Sequence, residues 1–179
     1  MSRICIDSSL ALAWLTYDRN STAANALRRE WATNSVEMVA PPIFFAEVMS
    51  VLQQQVAAGR LLREEADEAF GICLSMPVKT LESEDVYRAA WRIGAEGAET
   101  SRSVAQYLGV VETEDCDFWT CDWSLADLAR ADGSRVKCFG ERPAKAAESA
   151  PKSESPKPFE PPKRTPAPNL DDPGLWRRF

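Results

Sequence analysis

No histidine occurs anywhere in the 179 residues. Hydrolytic or acid–base chemistry in this chain must therefore rest on carboxylates, lysines or a bound cation. Three acids stand where a fold can gather them: Asp7 follows "RICI", Glu47 lies inside "PPIFFAEVMSVL", and Asp122 follows "CDFWTC". Oxygen donors of this kind suit Mg2+ or Mn2+, hard cations that keep part of their water shell, and a metal-bound water is a nucleophile that needs no imidazole. Read one at a time, the same residues have plainer roles, with Asp7 as an N-cap, Glu47 as a surface residue and Asp122 as the cap of the last helix. Ser8 and Ser9 are open to the same two readings, as phosphate contacts or as capping residues.

The elements that must position these acids are legible as short apolar runs alternating with helical patterns. "RICI" at 3–6 reads as a buried strand, and Asp7-Ser8-Ser9 then opens a helix through Leu10, Leu12, Trp14 and Leu15. A helix is predicted over 21–32 and a strand over 36–40. Pro41-Pro42 introduces a helix whose Phe45, Val48, Met49, Leu52 and Val56 share one face, with Glu47 about 100° from the centre of that stripe and so on its border. Gly59 stops it, and further helices are predicted at about 63–75, 83–97 and 101–113. Strands are predicted at 77–81, 116–120 and 136–140.

Strands separated by helices imply a three-layer α/β/α architecture around a central parallel sheet of about five strands. Ligands of such sheets bind beyond the carboxyl ends of the strands, where the strand order reverses. Asp7 closes the first strand and Asp122 follows the fourth, so if those strands are neighbours both acids reach one crevice.

Several other function classes are excluded. The chain has no G-x-G-x-x-G and no G-K-[ST], which removes nucleotide-binding loops of those types. Cys5, Cys73, Cys116, Cys121 and Cys138 form no C-x-x-C pair and read as buried reduced thiols. Residues 1–140 carry 13 Lys+Arg against 21 Asp+Glu, an acidic body unsuited to binding nucleic acid through a broad basic face. No apolar run approaches the roughly 20 residues of a membrane span, and "MSRICIDSS" has no secretory or transit pattern, so the protein is expected in the cytoplasm and off the membrane.

The segments "ICIDSSLALAWL", "PPIFFAEVMSVLQQQVAAGRL" and "SVAQYLGVVETEDCDFWTCDWSLADLA" together resemble the PIN domains, above all the VapC-like toxins of bacterial toxin–antitoxin pairs. The likeness covers about residues 1–140, the expected PIN-like domain. It implies that Asp7, Glu47 and Asp122 are the catalytic, metal-holding acids, supported by Ser8 and by Thr120 of the T-x-D turn. It further implies a Mg2+- or Mn2+-dependent ribonuclease acting on RNA, usually as a homodimer and with an antitoxin as protein partner. One departure stands out: the family's Tyr-Asp pair falls on Ser103-Val104, so an apolar Val104 replaces a carboxylate, and Glu99 one turn upstream is the nearest substitute. Fewer charges at the centre predict weaker metal binding and a feeble or silent nuclease.

Trp119 and Trp123 flank the expected site, where indoles either pack or stack on unpaired bases, Trp123 being the better stacking candidate. Nine of the twelve prolines follow residue 140, and 141–168 reads as a disordered linker with little to bury. The end of the chain, 169–179, breaks that composition. There Leu175, Trp176, Arg177, Arg178 and Phe179 read as a docking peptide for a partner protein, or for the acidic crevice of the chain itself. The alternative to a nuclease is thus a catalytically silent PIN scaffold that works through this peptide.

Overall fold

The computed structural model describes residues 2–16, 20–96, 102–131, 135–140 and 142. Glu99, the linker apart from Arg142, and the terminal peptide with Leu175, Trp176, Arg177, Arg178 and Phe179 lie outside them. The alternation of apolar runs and helical patterns is realised along the described chain. The elements are β1 (Arg3–Ile6), α1 (Ser8–Leu15), α2 (Ser21–Thr33), β2 (Glu37–Ala40), α3 (Ile43–Ala57) and α4 (Arg63–Leu74), followed by β3 (Val78–Thr80), α5 (Glu84–Glu96), α6 (Arg102–Glu114), β4 (Asp117–Thr120), α7 (Trp123–Ala131) and β5 (Val136–Cys138).

All four strand pairings are parallel and the order is β3-β2-β1-β4-β5. The seven helices flank this five-stranded sheet in the three-layer arrangement expected. The chain travels outward from β1 to β2 and β3, then returns to the other side of β1 with β4. The order therefore reverses between β1 and β4, which is where sheets of this class open a crevice.

Burial explains why these runs became strands. Cys5, Ile6, Val39, Ala40 and Phe118 are fully enclosed because the central strands are covered on both faces. The edge strands β3 and β5 have three residues each and stay partly exposed, short enough to offer little to another sheet edge. On one face α6 packs across β1 and β4, and the Cys5 thiol meets the Tyr107 carbonyl at 3.9 Å. Helix α6 also packs closely on α5. A side chain at Gly109 would meet the Val86 carbonyl at 2.7 Å, so only glycine allows this approach.

Elsewhere Trp31 stands edge-on to both Trp14 and Trp119, with ring centroids at 6.1 and 5.0 Å. Trp119 is thereby committed to packing. The five cysteines form no disulfide. Among the described residues no helix is long and apolar enough to cross a membrane.

Candidate functional site

The first turn of α1 carries the innermost acid. Asp7 leaves β1 in an extended conformation (φ −100°, ψ 173°), and its backbone N–H still pairs with the Trp119 carbonyl of β4 at 3.2 Å. Its side chain turns back over the helix start and accepts the Leu10 N–H at 3.1 Å on Oδ1. The capping role read from the sequence is therefore present, and it holds a carboxylate that is only 2% exposed at the end of a central strand.

Two hydroxyls complete the surroundings of Asp7. Thr120, fully buried at the end of β4, donates to Oδ2 at 2.7 Å, and Ser9 lies 2.8 Å from both carboxylate oxygens. Each hydroxyl also accepts a backbone N–H from the β4–α7 turn, Thr120 from Asp122 and Ser9 from Cys121, both at 2.9 Å. Asp7 is thus tied to β4 through two side chains as well as the sheet. Burial pushes its carboxyl up to about 6, against the opposing pull of the Thr120, Leu10 and Ser9 bonds, and the nearby charge of Glu47 adds to the rise.

Glu47 comes from α3, half-buried on the border of the apolar stripe formed by Phe44, Val48 and Leu52. Its Oε2 accepts the Tyr107 hydroxyl at 2.6 Å and the Ser8 hydroxyl at 3.1 Å. Glu47 therefore faces the same rim as Asp7, bridged to α1 by Ser8 and to α6 by Tyr107. Asp122 also lies at this rim, two residues past β4, but it is exposed. Its Oδ1 accepts the N–H groups of Ser124 and Leu125 at 2.8 and 3.2 Å, which caps α7. Val104 is 4% exposed and belongs to the apolar core.

The arrangement brings Glu47 close enough for its charge to bear on Asp7, with Thr120 and Ser8 as their donors. Among the described residues, no group of three or more His, Cys, Asp or Glu side chains is disposed to hold a metal ion. A closed cage is thus not the geometry here. The donor set nonetheless suits one weakly held hard cation, because Mg2+ is commonly bound by one or two carboxylates together with waters and substrate phosphates. Burial, far more than the Glu47 charge, is what raises the proton affinity of Asp7.

Two residues escaped the sequence reading. Tyr107 sits three positions after Val104 and so on the same face of α6, which is the one signal that pointed to it. Ser9 carried only the expectation of a capping residue or a phosphate contact, whereas here it ties Asp7 to the Cys121 amide. Trp123 lies beneath two guanidinium groups, Arg142 at 5.2 Å and Arg130 at 5.6 Å from the ring centroid, and its buried Nε1 has no hydrogen-bond partner among the described residues.

No family model and no curated protein matches the sequence. Solved structures do share the architecture. Mycobacterium tuberculosis VapC20, described as a sarcin-ricin loop cleaving toxin, superposes with a TM-score of 0.55 at 20% identity, covering 73% of this chain and 95% of its own. VapBC2 from Rickettsia felis, crystallised with a DNA fragment from its promoter, gives 0.59 at 10% identity over 77% of this chain and 99% of that one. PAE2754 from Pyrobaculum aerophilum gives 0.53 at 18% identity over 71% and 84%. The chain has a VapC-like PIN fold.

Proposed function

We propose that this chain is a ribonuclease of the PIN type, similar to VapC toxins, with a metal site weakened by Val104. The observation that carries this reading is the meeting of Asp7 and Glu47 at the carboxyl rim of a VapC-like parallel sheet, beside the reversal of strand order. Asp7 and Glu47 would hold one Mg2+ or Mn2+, with Asp122 at the outer edge of the site. When bound, that ion supplies a nucleophilic water and neutralises charge on an RNA phosphodiester.

The chain's own residues have definable tasks. Thr120 and Ser9 fix the Asp7 carboxylate toward the rim and prevent it from rotating away. Asp122, exposed two residues beyond Thr120, repels phosphate directly and so acts on substrate only through a cation or a water. Having one acid fewer than the family pattern, the site should bind metal weakly and turn over slowly. The test is cleavage of RNA oligonucleotides with Mg2+ or Mn2+: metal-dependent activity that disappears in Asp7→Asn supports the reading. No cleavage across millimolar metal sinks it.

One observation favours a second reading, that of a silent PIN scaffold. Val104 is packed into the core where the family carries an acid, and one Asp122 oxygen is committed to capping α7. On that reading activity appears only in Val104→Asp, and the working part is the terminal peptide around Trp176, bound to a partner protein. On either reading we propose a cytoplasmic homodimer with an antitoxin-type protein partner, a reading that the fold shared with VapBC2 supports.

A further inference from the structure

Tyr107 is a buried side chain of the rim with a polar end to which the family pattern gives no task. Its ring is 1% exposed and lies against Phe118, with centroids 5.6 Å apart and 34° between the planes. The backbone there is pinned as well, since the Tyr107 carbonyl receives the Cys5 thiol. From this apolar bed the phenol reaches Glu47 Oε2 at 2.6 Å, a length suited to a hydroxyl donating to a charged carboxylate. Ser8 donates to the same oxygen. A phenol with an ordinary proton affinity is already a donor at neutral pH, so the short bond to Glu47 needs no change of protonation.

Glutamate has three rotatable bonds and by itself would sample several positions at the edge of α3. A bond from a rigid, buried ring on α6 removes that freedom. Both donors fall on Oε2, which leaves Oε1 available to a further partner.

Resting on the nuclease reading above, we propose that Tyr107, assisted by Ser8, is the positioning residue for Glu47, clamping Oε2 so that Oε1 is presented to the cation. Helix α6 thus contributes to the site through a phenol one turn beyond the missing acid at 104. Hydrogen-bond partners that orient a metal-binding side chain typically account for 10- to 100-fold in affinity or activity.

The experiment uses the full chain and Mn2+ as the probe, with affinity measured by calorimetry, melting of the metal-free protein recorded in parallel, and RNA cleavage resolved into kcat and KM. Tyr107→Phe should raise the Mn2+ dissociation constant tenfold or more and lower kcat to a similar degree. KM for RNA should stay within about twofold and the metal-free protein should still melt cooperatively, a split that a purely structural role would not produce. Ser8→Ala should weaken Mn2+ binding several-fold and stands in if Tyr107→Phe does not fold. Mn2+ affinity equal to wild type in whichever of these variants folds overturns the positioning role alone. A wild-type chain that binds no Mn2+ and cleaves no RNA overturns the nuclease reading and the positioning role together.

Discussion

Replacing Asp7 by Asn removes a negative charge that folding has to strip of water. The carboxyl rises from 3.8 to about 6 on burial, and Asp7 is only 2% exposed, so solvent screening takes little from the effect. A shift of about two units corresponds to about 3 kcal/mol of differential proton binding. Because the folded protein holds the proton more tightly than the unfolded chain, wild-type stability should fall as pH rises from about 4 to about 6 and stay level above that. The Asp7→Asn variant carries no such term, but its amide lacks one of the two acceptor oxygens that serve Leu10, Ser9 and Thr120, a loss of about 1 kcal/mol. The variant should therefore be more stable than wild type by about 2 kcal/mol at pH 7 without divalent ions, and equal or slightly less stable at pH 4. Urea unfolding of both proteins from pH 4 to 8 measures this, and subtracting one curve from the other cancels every titrating group they share. A difference that stays flat across the window, or an Asp7→Asn protein less stable than wild type at pH 7, would refute the account of Asp7 as a charge buried at net cost.

Other substitutions probe the same rim and its supports. Thr120→Val deletes both the donor to Asp7 and the acceptor of the Asp122 N–H, so urea unfolding at pH 7 should show a loss of about 1–3 kcal/mol. Val104→Asp puts a carboxylate in a core position, so it should lower the melting temperature in metal-free buffer and recover part of that loss in millimolar Mn2+, where wild type gains less. Gly109→Ala forces a methyl group against the Val86 carbonyl and the Ala90 backbone, and chemical denaturation should register a loss of about 1–3 kcal/mol as α5 and α6 separate.

Much of the architecture is written in local pattern. Period-3.6 stripes and short apolar runs determine a helix or strand within a few residues of themselves, so the sequence alone separates β1 from α1 at Asp7 and starts α3 after Pro41-Pro42. The resemblance to PIN domains picks out Asp7, Glu47 and Asp122 and marks Val104 as the odd residue. Partner choice is another matter, because it depends on strand order and on side-chain rotamers set by distant neighbours. Only the tertiary structure shows Thr120 bonded to Asp7 across 113 positions and Tyr107 bonded to Glu47 across 60. The Asp122 oxygen that caps the start of α7, by contrast, is already among the sequence readings, because an acid just before a helix serves its first N–H groups. Sequence thus determines which acids end which elements. Packing decides which of their oxygens are already satisfied, because a buried polar atom takes the nearest donor the fold supplies.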